Sequence, residues 1–476
     1  MSDVATGQLR RVLNLPEVIM QSMGVMAPAA SVLFTIQLLA SLVGIAVPVS
    51  LIVAMVLVVM LSVSLASLAR RLPSAGGYYT FVREGIGPRW GMFVFVVILV
   101  YALTASMNSG FLGQVVYGQL RAAYGIDVPW QVTFLAIVLI TGFLAWRGVA
   151  VSGRALLVLG SLELSVLVLL GLWGLFDPGR GGVEISAFNP TPVLGRSALY
   201  LSIVFALFFF AGWEGSAPIA EETRNPERTM PRALVGSVVL VGLVFVIACW
   251  GMTVGWGDAA ISGFAKSSQL APLVLAHRFW GAWWVVLLLA LINSVFAISL
   301  ASLLLCSRML YALAMRGLLP SRLAQVHPKY GTPANAILGL VGFSVVFGLA
   351  MGAIFGPENA YYIYGLAFSL LIIVVYIAGN VAAFGYFYRK RRHEFRLASH
   401  VIFPIVTSLV LLYVGYNTVI PFPAYPVGAG IWVGVAWLAI AGAFMVVAVR
   451  GRGVVVLSDS GEEGTGWAGA GDEDSE

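Results

Sequence analysis

Two carboxylates embedded in apolar sequence are the residues best placed to do chemistry in this chain. Glu163 lies in ALLVLGSLELSVLVLL and Glu214 in FFFAGWEGSAPIAEE. An ionisable group at membrane depth is costly to bury and is usually functional. Either acid could hold a proton, accept N–H groups of unwound backbone, or face an amine. A bland reading stands beside each: Glu214 as a brace of its own segment, Glu163 as a carboxyl hydrogen-bonded to Ser161 or Ser165. Asn108, Gln114 and Asn293 also interrupt apolar runs, and bonding between helices is the simpler expectation for each.

Other chemistries are excluded by what is missing. The four histidines (His277, His327, His393, His400) fall in or beside loops, so a zinc-hydrolase or Ser/His protease site at membrane depth is not expected. The three lysines follow Ala265, Pro328 and Arg389, so no GK[ST] phosphate loop exists. Cys249 and Cys306 sit inside apolar runs, where they say nothing about redox compartment. No cofactor and no metal are expected.

The elements that position these residues are membrane helices. Of 476 residues, 60% are hydrophobic and 10% charged, against about 25% charged in a soluble domain. Apolar runs of roughly 20 residues predict twelve spans, near 17–40, 43–69, 90–118, 129–147, 152–176, 197–219, 232–256, 283–308, 334–355, 359–388, 399–420 and 428–449. With the N-terminus inside, 22 of the 27 Lys and Arg residues fall on the cytoplasmic side. The positive-inside rule therefore predicts that both termini are cytoplasmic. The net charge of +6 then reports orientation, and nucleic acid is not an expected partner. Residues 1–16 read as a cytoplasmic tail without a cleavable signal, and 450–476 as a disordered acidic tail with seven acids from 457 onward.

Helix breakers occur where none is expected. The first span reads QSMGVMAPAASVLF and the sixth FFFAGWEGSAPIAEE, and Gly24 and Gly212 are 188 positions apart. Trp90-Gly91 and Trp280-Gly281 are 190 apart. Two landmarks at nearly one offset predict a five-helix unit, 17–176, repeated with opposite orientation over 197–388, with 399–449 as two added helices. Broken first helices in inverted halves point to a solute site at mid-depth. Unwound backbone is tolerated there only around a polar ligand or cavity. The second half-helix of each break offers N–H groups to a carboxylate, and the first offers carbonyls to an ammonium.

Three stretches carry a family resemblance. AGWEGSAPIAEETRNPERTMPRAL (211–234), PSAGGYYTFVREGIGPRWG (73–91) and SRMLYALAMRGLLPSRLAQVHPKYGTPANA (307–336) resemble the sixth helix and its loop, the loop between helices two and three, and the eighth-helix end of amino acid–polyamine–organocation (APC) permeases. The resemblance covers about residues 12–450. It implies an all-α membrane protein of about twelve helices with a five-plus-five inverted-repeat (LeuT-like) core. It also implies secondary transport of amino acids or amines across the plasma membrane, with no enzymatic activity.

Carried over residue by residue, the resemblance assigns Phe208, Phe209, Phe210 and Ala211 to a substrate gate, with Gly212 and Glu214 at the break. The family's small-residue signature in the first helix falls on Met26, Ala27, Pro28, Ala29 and Ala30, where Pro and Ala replace glycines and Pro28 lacks an N–H donor. Ser299 and Ser302 occupy positions that line the site or an old cation position in relatives. Glu163 lies near a position that carries a titratable lysine in some of them, so Glu163 and Glu214 are the candidate coupling groups, with protons favoured over sodium. The loop Glu221, Glu222, Arg224, Asn225, Arg228, Arg232 reads as a charge network holding the inner gate. The candidate pocket holds acids and no arginine or lysine from the spans, so the expected substrate is a neutral amino acid. A polyamine or amine carrier, and a non-transporting nutrient sensor, are the rivals.

Overall fold

The computed structural model describes residues 11–194, 197–257, 260–267, 270–423, 425–426 and 428–451. Of the expected tails, 1–16 and 450–476, residues 1–10 and 452–476 lie outside the described residues, while 15–16 and 450–451 belong to helices. Among the described residues the architecture is all-helical, apart from one isolated bridge between Leu13 and Thr223.

The first crossing is two half-helices, α1 (Leu15–Met26) and α2 (Pro28–Val43). Ala27 between them is left-handed, with φ 48° and ψ 67°, a conformation that costs a residue with a Cβ. Pro28 opens α2, where its missing N–H would have been unpaired in any case. Gly44 (φ 61°) ends α2, and α3 (Val47–Arg71) returns across the bundle. The short α4 (Tyr78–Gly85) leads into a crossing made of α5 (Pro88–Ile98), a 3-10 turn and α6 (Thr104–Tyr124). Then follow α7 (Trp130–Arg147) and α8 (Val149–Phe176).

The second half repeats this plan. Its first crossing is α9 (Ser197–Phe209), an irregular stretch at 210–216 and a 3-10 helix over Ala217–Glu222. Next come α10 (Pro226–Trp256), the short α11 (Ile261–Ala265) and α12 (Ala271–Trp280), then α13 (Val285–Met315), α14 (Ala334–Phe355) and α15 (Pro357–Lys390). A break in the first crossing and a short helix just before the third, α4 in one half and α12 in the other, recur in the same order. α16 (Phe403–Val419), entered through a π-helical turn at Ala398–Ile402, and α17 (Ala429–Gly451) complete twelve crossings.

By length and apolarity, ten helical stretches qualify as spans. Leu15–Arg71 counts there as one 57-residue stretch although it crosses twice, and the broken α9 crossing is too short to qualify. Twelve expected spans and ten qualifying stretches therefore describe one fold. Glycine lets the helices approach closely: a Cβ on Gly251 of α10 would lie 1.8 Å from the Gly171 carbonyl oxygen of α8, and one on Gly174 would lie 2.0 Å from that of Gly251. Without a hydrophobic force between helices in lipid, such backbone contact is a main source of association.

Candidate functional site

The two breaks lie against each other at the middle of the bundle. Gly212, with φ 100°, leaves so little room that a Cβ would stand 2.5 Å from Val25 Cγ1. A cavity of about 160 Å³ opens beside them. An apolar cavity of about 150 Å³ is enough to take up benzene, so this one suits a small organic molecule. Its wall is built from single helix faces: Ala27, Ala30, Ser31 and Thr35 from the first crossing, Tyr101, Thr104 and Asn108 from the third, and Tyr361, Tyr364, Phe368 and Ser369 from α15. Steps of three and four residues place each set on one face. Apolar and hydroxyl groups alternate around the wall, and no Asp, Glu, Lys or Arg lines it.

Of the expected substrate residues, Met26, Ala27, Ala30, Phe208, Phe209 and Ala211 line this cavity. Pro28, Ala29, Phe210, Gly212, Ser299 and Ser302 are buried beside it without lining it. Phe210 packs edge-on against Phe245 of α10, with ring centroids 5.3 Å apart. Ser299 donates to the Val295 carbonyl in its own helix at 2.7 Å.

The N–H groups at the start of α2 already have partners within the protein. Ala29 donates to Glu163 Oε1 at 2.7 Å, Ala30 to Ser294 Oγ at 3.1 Å, and Ser31 to the Ala27 carbonyl at 2.9 Å. A helix N-terminus favours an anion, and here the carboxylate it meets is that of Glu163, 1% exposed on α8. Asn293 of α13 donates to Glu163 Oε2 at 3.1 Å. Ser161 and Ser165 instead bond carbonyls four residues back in α8. One buried carboxyl group thus ties α2, α8 and α13 together.

Glu214 is also 1% exposed. It accepts from Tyr101 at 2.7 Å and Tyr376 at 2.8 Å. Because Tyr101 lines the cavity and Glu214 does not, this carboxyl is one phenol removed from any ligand.

Two sets of contacts flank the cavity. On one side Phe34, Phe111 and Tyr361 form an aromatic layer, with Phe111 stacked on Tyr361 at 4.8 Å and Phe34 edge-on to Phe111 at 4.9 Å. On the other, arginine-rich side, Gln21 donates to the carbonyls of Gly215 and Ala301, and Ser22 bonds Ser216 at 2.8 Å. Beyond them Arg308 and Glu222, both fully buried, pair at 3.1 Å. From the expected loop network, Glu222 is thus joined to Arg308 of α13, while Glu221 accepts from the Ala75 N–H at 2.9 Å. The backbone N–H groups of Val12 and Leu13 pin the chain before α1 to the Glu222 carbonyl. At the rim, burial opposes charge on Glu394, but Arg71 at 2.8 Å, with His393 and Arg391, holds its carboxyl below the usual carboxylate range.

Sequence reading missed Tyr101 and Thr104 of the third crossing and Tyr361 and Tyr364 of α15, and it missed Arg308 as the partner of Glu222. For α15 a signal existed: Tyr361, Tyr364, Phe368 and Ser369 share one helical face. No sequence signal announced that this face meets the breaks, because that depends on which helices are neighbours.

The sequence matches the amino acid permease family AA_permease_2 over residues 13–448. It is 26% identical over 341 residues to the low-affinity putrescine importer PlaP of Escherichia coli strain K12, covering 70% of this chain and 74% of that one. It is 25% identical over 358 residues to the branched-chain amino acid permease BcaP of Lactococcus lactis, covering 69% and 73%. The serine/threonine exchanger SteT of Bacillus subtilis is 24% identical over 361 residues, covering 73% and 76%. These are membrane permeases and not enzymes. With a match across nearly its whole length and a cavity built at two broken membrane helices, the chain belongs to the amino acid permease family of the APC transporters.

Proposed function

We propose that this chain is a proton-coupled secondary transporter of small neutral amino acids in the plasma membrane, with both termini cytoplasmic. The observation that carries the substrate reading is the cavity wall: hydroxyl and apolar groups, with no charged side chain, around about 160 Å³. A cationic or dicarboxylic side chain would lose its hydration there without a counter-charge, which is costly. Glu163 supports the coupling reading. As a carboxylate it makes a charge-assisted bond to the Ala29 N–H. Taking up a proton removes that charge and weakens the tie between α2, α8 and α13, so protonation and helix movement are linked.

The test is uptake into proteoliposomes. A pH gradient should drive uptake of labelled neutral amino acids in the wild type. Glu163→Gln keeps size and hydrogen bonding, and it should abolish gradient-driven uptake while counterflow exchange at equal pH survives. Full gradient-driven uptake by Glu163→Gln with its normal pH profile would falsify the coupling role.

A second reading has its own observation: Glu214 stands behind Tyr101, and rotation of that phenol would present a carboxylate to an amine. Exclusive displacement of label by putrescine or another polyamine would favour the amine carrier. Binding without flux at any gradient would favour a sensor.

A further inference from the structure

At the arginine-rich end of the bundle, a hollow of about 470 Å³ lies where the end of α3 meets the entry to α16. Arg70 and Arg71 of α3 line it, with Arg396 and His400 from the turn that leads into α16. Arg71 is committed to Glu394, 2.8 Å away. Arg70 and Arg396 are exposed, and neither makes an ion pair among the described residues. Topology requires positive residues along this rim, but it does not require two of them to line one hollow without a counter-charge. Such an arrangement attracts an anion.

A second hollow, of about 410 Å³, shares His400 with the first. It is a groove between α15 and α16, walled by Ile377, Val381 and Phe384 of one helix and by Ile405 and Leu409 of the other. Val381, Phe384, Ile405 and Leu409 are 41–63% exposed, so the groove opens toward lipid. From Ile377 to Phe384 it follows α15 for about 10 Å at 1.5 Å per residue, roughly a third of a hydrocarbon core. His400, at the junction, carries an unmet polar group. Its Nδ1 accepts the Arg396 N–H at 3.0 Å, so the ring proton sits on Nε2. Nε2 is buried without a partner, whereas buried donors are almost always paired. Stacking on Phe387, with ring centroids 4.0 Å apart, fixes the ring.

We propose that the two hollows together form a site for one anionic glycerophospholipid, with its phosphate between Arg70 and Arg396 and one acyl chain in the groove between α15 and α16. His400 stands at the ester region, where oxygen acceptors of the lipid lie. A phospholipid carries charge and apolar chain in the order in which the protein presents arginines and apolar wall. Basic pockets at helix ends suit anionic headgroups. Phosphatidylcholine bears the same phosphate, but its quaternary ammonium cancels the charge and meets the arginines as a like charge. Seated there, the lipid joins the end of α3 to α15 and α16. The site does not depend on what the protein carries across the membrane.

The experiment is native mass spectrometry of the full chain, released from micelles that hold equal amounts of phosphatidylglycerol and phosphatidylcholine. The wild type should retain one phosphatidylglycerol in preference to phosphatidylcholine. A basic residue beside an anionic headgroup adds about fivefold to affinity, so Arg70→Gln with Arg396→Gln should cut that preference about 25-fold. Val381→Trp fills the groove while keeping both arginines, and it should also lose the bound lipid. All three positions are exposed, so melting curves in phosphatidylcholine alone should match the wild type and assign the loss to the site. Equal retention of the two lipids by the wild type, a comparison that needs no variant, overturns the proposal. Unchanged retention in either folded variant overturns it as well. Glycerol phosphate at millimolar concentration, a headgroup without chains, tests the other source of the same anion. Full displacement of the lipid by it would mean that the arginines bind a free phosphate ester and that the groove takes no part, which also overturns the proposal.

Discussion

At the scale of single residues, neighbours in sequence do different work. Phe208 lines the cavity, whereas Phe210 is fully buried against Phe245. Removing the Phe208 ring opens one wall of the site, so Phe208→Ala should weaken substrate binding and leave the melting temperature near that of the wild type. Phe210→Ala leaves a hole in the packing, for which about 3–5 kcal/mol is the usual cost of losing a buried ring. It should lower thermal stability in detergent, with binding by the surviving folded fraction little changed. Parallel binding and melting measurements on the two variants check this, and equal losses in both readouts would mean that the run 208–210 acts as one packing unit. Burial and contact direction, neither visible in FFF, separate the two side chains.

At the scale of elements, the α8–α10 pair depends on what glycine leaves out. Gly251 and Gly171 let two backbones meet where a single methyl would overlap a carbonyl oxygen at 1.8 Å. Gly251→Ala forces the helices apart and disturbs the bonds that Glu163 makes from α8 to α2 and α13. Overpacking of this kind typically costs 1–3 kcal/mol, or about that, so lower thermal stability and lower uptake are expected together. Gly339 of α14 is the control, since nothing lies within 4 Å of the Cβ it would gain. Gly339→Ala should match the wild type in both assays, and so should Gly251→Ala if the close approach is unimportant.

At the scale of the whole molecule, the two flanks of the cavity are built differently. Aromatic contacts lie on one side, while on the arginine-rich side Gln21, the Ser22–Ser216 bond and the buried Arg308–Glu222 pair hold helices together as a polar seal. Breaking one partner of a buried pair is strongly destabilising, so this seal opens only if both groups find water or new partners as the helices move. The transport cycle proposed above then requires α1 to part from α13. Cβ atoms at Gly24 and Ala301 would lie 3.3 Å apart, close to the 3.5–4.5 Å or so of a disulfide. Gly24→Cys with Ala301→Cys should therefore lose uptake under oxidant and regain it with reductant, while each single variant is indifferent to both. Uptake that persists in the oxidised, cross-linked protein would mean that α1 and α13 move as one body.

Much of this protein was legible in the chain because the bilayer reads sequence locally. Span lengths, both helix breaks and the buried carboxylates at Glu163 and Glu214 follow from apolar run length, Pro and Gly placement and the cost of burying charge. The offsets Gly24–Gly212 and Trp90–Trp280 rest on the same local rules, but the first break falls at Ala27 and Gly24 stays inside α1. What a residue touches across the bundle is not local. Only the assembled helices set Glu163 on the Ala29 N–H, 134 positions away, gave Glu222 to Arg308, and turned Tyr101, Tyr364 and Phe368 toward the breaks. A hydrophobic pattern says that a face is buried; it takes the packing of one helix on another to say against what.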